Sequence, residues 1–280
     1  MENILITGAT GNVGMAIRQH FVPSNNQRLY LATREKSPSN PDELYFDFED
    51  PEESAESLGH IHTLFLLRPP HISDVKTYFA PIIRKAVEKG VEHLLFLSVQ
   101  GAEDVSFIPH AKIETLIRES GLPYTFFRPS YFMQNLSTTL LDDIKTKNRI
   151  FLPAGKAPFL WVDVSDIGKA IAAVLRNTAA HRNQAYTITG TEYFTFGQVA
   201  QMLSQTLERK IDYLSPGLLR FFFAKRREGV GVAYIFVLIM LHYLARFQKV
   251  PAISPDLPNL TGEAPATLKQ FMESNREVWK

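Results

Sequence analysis

Cysteine is absent from all 280 residues. That removes disulfides, thiolate nucleophiles and cysteine-ligated zinc. An excess of one charge is lacking too. A net charge of +1 gives no electrostatic ground for nucleic acid or an acidic membrane surface as partner. No apolar run is long enough to span a bilayer, which takes about 20 residues. The longest, Val230 to Ala245, is interrupted by His242, and Lys225-Arg226-Arg227-Glu228 parts it from apolar Leu218 to Phe223. The run reads as a buried or an interface helix, with a helix lying on a membrane surface as the alternative. No basic-then-apolar leader precedes the first apolar segment, so the expected location is the cytoplasm. No Gly-x-Ser-x-Gly elbow occurs, and no Gly-Lys-Ser/Thr follows the N-terminal glycine turn; this excludes an α/β-hydrolase and a P-loop. His60 and His62 fall on one face of a strand, but no third ligand is near in sequence, so no metal is expected.

The stretch around which the chain is organised is Ile4-Leu5-Ile6-Thr7-Gly8-Ala9-Thr10-Gly11-Asn12-Val13-Gly14. It reads as an apolar strand, a glycine turn and a helix opening, continued by apolar positions at helical spacing to Phe21. A helix N-terminus presents free N–H groups and a positive dipole end, and so makes an anion site. Gly8 permits the tight turn, Gly11 lets a phosphate approach the backbone, and Gly14 lets the helix pack on the sheet. Ala9, Thr10, Asn12 and Val13 complete the turn, and Asn12 or Thr10 is the expected cap.

Strands and helices then alternate. Strands are expected at Arg28 to Thr33, Glu43 to Phe48, Ile61 to Leu67, Val91 to Val99 and Tyr124 to Arg128. Helices are expected at Pro51 to Leu58, Ser73 to Lys89, Ile108 to Ser120 and Met133 to Lys147. Short right-handed crossovers build these into a doubly wound parallel sheet, a Rossmann α/β fold. The expected division is a dinucleotide-binding core over residues 1–150. A small, mostly helical substrate lobe over 151–280 is interleaved with it. In that lobe, strands are expected at Phe159 to Val164 and Gln184 to Ile188. Helices are expected at Ser165 to Arg176, Thr195 to Glu208, within Leu214 to Phe247 and at Thr261 to Glu273.

Ligands of such sheets lie beyond the carboxyl ends of the strands. Those ends bring forward Gly8 to Val13, Arg34, Asp47, Phe48, Leu67, Arg68, Ser98, Val99, Pro129, Tyr131 and Phe132 as cofactor-binding candidates. A basic residue after the second strand suits a 2′-phosphate where an acidic one would suit a 2′-hydroxyl. Arg34, with Lys36 close by, therefore favours NADP(H) over NAD(H).

Three blocks resemble the NmrA-like group of atypical short-chain dehydrogenases/reductases. They are Ile6 to Gly14; His110-Ala-Lys-Ile-Glu114 with Glu119-Ser-Gly-Leu-Pro-Tyr-Thr125; and Phe127-Arg-Pro-Ser-Tyr-Phe-Met-Gln-Asn-Leu136. Trp161-Val-Asp-Val-Ser-Asp-Ile167 is similar to a strand-to-helix segment of extended dehydrogenase relatives. The resemblance is weakest from Leu214 to Val250. It implies an NAD(P)-binding Rossmann core with a C-terminal substrate lobe. It also implies one of two functions: NADPH-dependent reduction of quinones or azo compounds, or redox sensing through a regulated partner protein.

The wider superfamily uses a Tyr-x-x-x-Lys pair, and the matching segment here reads His110-x-x-x-Glu114. His110 is a candidate proton donor oriented by Glu114 one turn on. The alternative is that it caps the helix or lines the pocket. Quinone reduction asks mainly that cofactor and acceptor be stacked correctly. Tyr131, Phe132, Phe159 and Trp161 are candidate walls, and Gln100, Asn135 and Trp161 candidate substrate contacts. The expected partners are a small apolar substrate and either a second copy or a regulatory protein.

Overall fold

The computed structural model describes residues 1–280. In chain order it runs β1 Glu2–Ile6, α1 Asn12–His20, β2 Gln27–Thr33, β3 Glu43–Tyr45, α2 Pro51–Glu56, β4 Thr63–Leu67, α3 Val75–Glu88, β5 His93–Leu97, α4 Pro109–Glu119, β6 Tyr124–Pro129 and β7 Tyr131–Phe132. It continues with α5 Leu141–Lys147, β8 Arg149–Phe151, β9 Pro158–Val162, α6 Val164–Leu175, β10 Gln184–Ile188 and β11 Tyr193–Thr195. The last elements are α7 Phe196–Leu207, β12 Asp212–Leu214, α8 Leu218–Arg227, α9 Val232–Tyr243, α10 Asp256–Thr261 and α11 Leu268–Ser274. They fall into two units, one of Met1–Ser130, Val164–Ile188 and Ser254–Ala264, the other of Tyr131–Asp163, Thr189–Ile253 and Pro265–Lys280.

The first unit is a seven-stranded sheet in the order β10-β6-β5-β4-β1-β2-β3, parallel throughout. The chain winds outward from β1 to β3, then returns to β4 on the other side of β1. Right-handed crossovers in the two directions place α1 and α3 on opposite faces. Both faces are therefore covered, which is why β4 and β5 are continuous apolar runs. Alternate residues divide between the faces. Leu5, Leu64, Leu66, Leu94 and Phe96 pack with Phe79, Ile82, Ile83 and Ala86 of α3 and Ile113 and Ile117 of α4. The apolar positions of α3 recur at helical spacing. Asp74 caps it by accepting from the Thr77 N–H at 3.1 Å, and Gly90 at φ +81 follows its end. Against α1 lies α6, so close that a Cβ on Gly168 would fall 2.7 Å from the Ala16 methyl.

The seventh strand, β10, pairs with β6 from Gln184↔Thr125 to Ile188↔Pro129. Residues 164–188 and 254–264 thus belong with the first unit, beyond the 1–150 core expected from the sequence.

The second unit has a β11-β9-β7 sheet, a β12-β8 pair and α5, α7, α8, α9 and α11 around its own core. The single helix expected over 133–147 is broken into a 3-10 turn, Met133–Leu136, and α5. The hydroxyls of Ser137 and Thr138 both donate to the Gln134 carbonyl and compete with helical pairing. Asp143, on α5, is buried. It accepts from Lys225 at 2.6 Å and from Arg149 at 3.2 Å, joining α5 to α8 and β8. Of the helix expected over 261–273 only the second half forms, as α11 capped by Thr267, while α10 ends at Thr261. Near the C-terminus Trp279 is fully buried and its indole N–H donates to the Leu136 carbonyl at 2.8 Å.

Candidate functional site

The reversal of strand order lies between β1 and β4, and there the sheet opens into a cleft of about 760 Å³. Its floor is Gly8, Ala9, Thr10 and Gly11. One wall is Leu31 to Glu35 with Phe46 to Glu49, the other Leu67 to Ile72. Seven of the sequence candidates other than the glycines meet here: Ala9, Thr10, Arg34, Asp47, Phe48, Leu67 and Arg68.

The glycines behave as their chemistry requires. Gly8 adopts φ +65, and a Cβ there would lie 2.5 Å from Leu67 Cδ2. A Cβ on Gly14 would lie 2.2 Å from the Gly8 carbonyl oxygen and 2.6 Å from Ala9 Cα, both backbone atoms that cannot yield. On Gly11 it would meet nothing nearer than the Gly8 oxygen at 3.4 Å, so that side is left open. The N-cap is Gly11, not the expected Asn12 or Thr10, and no side chain caps the helix. The first N–H groups of α1, those of Asn12 and Val13 among them, are thereby left for an anion. Replacing Gly14 with alanine is expected to cost about 1–3 kcal/mol through overpacking and to abolish cofactor binding. Thermal unfolding and a cofactor titration check this; a variant that melts and binds like the parent would refute the close approach.

Thr7, which the sequence reading left without a role, sets the register of the two loops. It is buried, donates from Oγ1 to the Phe65 carbonyl at 3.1 Å and accepts from the Leu67 N–H at 2.8 Å. A lone polar residue ending an apolar strand was the available signal. Arg18, one turn beyond Gly14, also lines the cleft and was missed.

The basic side chains after β2 part ways. Lys36 is held by Glu53 and lies 3.6 Å from Asp50, so it does not reinforce Arg34 as expected. Arg34 is exposed, lines the cleft and has no protein partner. Carboxylates from Glu35, Glu43, Asp47 and Glu49 share the lining. The Asp47 carboxylate folds its own turn by accepting from the Glu49 N–H at 3.0 Å.

Ser98 and Ser130, at the ends of β5 and β6, are both buried, and neither hydroxyl has a protein partner. Between them the backbone is tied by the Gln100 N–H donating to the Pro129 carbonyl at 3.0 Å. Val99 is half-buried beside Ser98. The uncapped helix end, the open side of Gly11, the partnerless Arg34 and these two hydroxyls all fit a phosphorylated dinucleotide.

The expected catalytic group turns out differently. Arg68 donates from Nε to His110 Nε2 at 3.3 Å and from one terminal nitrogen to the Ile72 carbonyl at 2.6 Å. The ring is only partly exposed, and protein atoms crowd it. Burial, and then the Arg68 charge, hold the imidazole down at about 3. His110 Nε2 thus accepts from Arg68 and braces its loop, and the ring is neutral near pH 7. Glu114 does not orient it. Both Glu114 oxygens are taken by Arg128, at 2.9 and 2.6 Å, and one also by Arg118 at 3.2 Å.

Tyr131, Phe132, Asn135 and Trp161 belong to the second unit. Trp161, expected to touch substrate, is 1 % exposed and spends its indole N–H on the Phe194 carbonyl; it is a core residue. Phe159 is likewise buried. Tyr131 stacks edge-on to Trp161, Phe159 and Phe196 and donates to His242 Nε2 at 3.0 Å, because His242 Nδ1–H is committed to the Leu238 carbonyl at 2.7 Å. Burial raises the Tyr131 phenol far above its usual range. No group of three or more histidine or acidic side chains is placed to hold a metal ion.

Residues 1–216 match the model of the NmrA-like family. The NAD(P)H azoreductase of Xenophilus azovorans is 25% identical over 281 residues, covering 97% of both chains. The crystal structure of an NADPH-dependent quinone oxidoreductase from Escherichia coli, complexed with NADPH, superposes with a TM-score of 0.83 at 20% identity, covering 99% of this chain and 100% of the other. The negative transcriptional regulator NmrA, in complex with NADP, superposes with a TM-score of 0.72 at 15% identity, covering 97% of this chain and 94% of that one.

Proposed function

The chain belongs to the NmrA-like family, and on that premise we propose that it is an NADPH-dependent oxidoreductase that passes hydride to an apolar acceptor such as a quinone or azo compound. The observation that carries the cofactor choice is Arg34, a partnerless guanidinium on the rim of the glycine-floored cleft. The 2′-phosphate would pair with it, the pyrophosphate would rest on the N-terminus of α1, and Ser98 and Ser130 would donate to the cofactor's nicotinamide half. When bound, the cofactor supplies the hydride.

The choice of acceptor rests on what the side chains withhold. His110 is neutral, Glu114 is occupied by two arginines, and the Tyr131 phenol is pushed up by burial. Neither His110 nor Tyr131 is poised near neutrality as general acid catalysis requires, and both Glu114 oxygens are already paired. Acceptors whose reduced form takes its proton from water suit such a chain. The azoreductase relative supports this reading, and the cytoplasm is its expected setting.

Replacing Arg34 with aspartate should weaken NADPH binding about ten- to hundredfold, the worth of a charge-assisted contact, while leaving NADH binding little changed. Fluorescence titration with both cofactors reads this directly, and an unchanged preference would remove the 2′-phosphate assignment. NADPH oxidation by purified protein should rise on adding simple quinones or azo dyes, with a pH profile free of a histidine inflection near 6.5. Tight NADPH binding without turnover on any acceptor would favour a second reading. In it the chain is a dinucleotide sensor for a protein partner, which its likeness to the NmrA regulator and the absent Tyr-x-x-x-Lys pair support.

A further inference from the structure

In the second unit α8 and α9 are joined by four residues and pack together, with the Phe222 and Phe236 rings 5.9 Å apart. Of α9, only Ile235, Leu238 and His242 are buried. Their spacing of three and four marks one face of the helix. The opposite arc is apolar as well, and it is open. Phe236 is 55% exposed, and Val237, Met240 and Leu241 are 43–46% exposed. On α8, Leu219 and Phe223 are more open still. Scattered exposed leucines are ordinary, but a continuous apolar face is a contact surface.

Charge says what the face contacts. Between Leu214 and Pro255 the sequence holds six basic side chains and one acid, Glu228. Lys225 and Glu228 are spent on each other at 2.8 Å, and Lys225 also on Asp143 at 2.6 Å. The other five cations are Arg220, Arg226 and Arg227 on α8, and Arg246 and Lys249 after α9. None forms an ion pair. Arg226 donates only to the Val230 carbonyl, and Arg246 lies over the Tyr243 ring at 5.0 Å. Several cations of the first unit, by contrast, are matched: Arg28 meets Asp42, Lys85 meets Glu52 and Lys89 meets Glu56. The near-neutral total thus conceals one strongly basic, strongly apolar segment.

We propose that the α8–α9 pair docks this protein on an anionic membrane surface, with Phe236, Met240 and their neighbours entering the headgroup layer and the five unpaired cations facing lipid phosphates. Apolar side chains flanked by arginine and lysine are the composition of an interfacial helix. The pair lies on the surface and does not cross it. The 12 residues of α9 reach only about 18 Å, and no helix of the chain is long and apolar enough to span. A second copy is the poorer occupant. A two-fold contact sets a patch against itself, so these cations would face one another with no acid to offset them. Docking would also bring the protein beside lipid-soluble acceptors; that consequence alone rests on the function proposed above.

Flotation of the full chain with extruded vesicles tests the docking without any turnover. Vesicles of equal parts phosphatidylglycerol and phosphatidylcholine should bind at least tenfold better than phosphatidylcholine alone. The difference should collapse near 1 M salt, where screening is complete within about 3 Å. Arg226→Gln and Arg227→Gln should each weaken binding about fivefold, and Phe236→Asp with Met240→Asp more than tenfold, with the fold retained by circular dichroism. No binding to either vesicle, equal binding to both, or variants that bind like the parent would overturn the proposal. So would a dimer in sedimentation velocity that Phe236→Asp disperses, since the face would then belong to a second copy.

Discussion

Replacing Glu114 with glutamine is expected to lower the free energy of unfolding by about 3–5 kcal/mol, the cost of breaking a buried ion pair from one side. Glu114 is 1% exposed and sits on the inner face of α4. Its two oxygens receive the Nε and a terminal nitrogen of Arg128, a bidentate fork, and one also receives Arg118. Arg128 is itself buried on β6, and its one other carboxylate is Glu103 at 3.2 Å. Glutamine keeps the shape but turns an amide N–H₂ or a neutral oxygen toward a buried guanidinium, which then lacks most of its counter-charge. The double change of Glu114 to leucine and Arg128 to methionine should recover most of the loss, because an apolar pair leaves no charge unpaired. Chemical denaturation of the parent, the single variant and the double variant decides the matter. A single-variant loss below about 1 kcal/mol would mean that the pair is not what anchors β6 to α4. If Glu114 instead acted through His110, the glutamine variant would change the pH dependence of turnover and leave stability alone.

The same residue illustrates what can be read from the chain and what cannot. Where local signals agree, the sequence reading and the structure coincide. The apolar strand, glycine turn and helix over residues 4–20, the buried strand at β5, and the helix opening at Thr195 are each fixed by residues within a few positions of one another. Spacing of four on a helix brought Glu114 to His110 in the sequence reading. The partner that won was Arg128, on the next strand and 14 residues away, because burial rewards the strongest available counter-charge and local spacing knows nothing of the sheet. Lys36 was drawn off by Glu53 in the same way. Strand β10 was legible as a strand, but its alternation does not reveal which sheet takes it in as an edge. Trp161 looked like a pocket wall because aromatic residues serve both pockets and cores, and only burial separates the two. The apolar run beside Lys225-Arg226-Arg227 was legible, with a membrane-surface helix as one alternative, but averaging charge over the whole chain cancels its basic character.

Acidification from pH 7 to about pH 4.5 should destabilise the fold by several kcal/mol, and buried histidine is a main cause. His93, on the central strand β5, bonds the Thr125 hydroxyl at 2.9 Å, and burial holds it down at about 4. His242, in the aromatic core of the second unit, is held at about 4, again by burial, and His110 at about 3. All three are neutral in the folded chain across this range, whereas in the unfolded chain each would take up a proton near 6.5. Between 6.5 and the folded values the unfolded state therefore binds more protons, and stability falls as the pH falls. At 1.36 kcal/mol per unit, each histidine withdraws up to about 3 kcal/mol by the time pH 4 is reached. Above 6.5 the stabilisation is complete. Below about 4 the loss levels off for His93 and His242, because the folded rings then protonate too. Replacing His242 with asparagine removes one titrating ring while retaining an amide that can serve Tyr131 and the Leu238 carbonyl. That variant should start less stable at pH 7.5, yet lose about 2–3 kcal/mol less than the parent between pH 7 and 4.5. Urea denaturation at half-unit steps of pH measures both slopes. A parent whose stability is flat over this interval, or a variant with the parent's slope, would mean that these rings are solvated or protonated in the folded state, contrary to the packing around them.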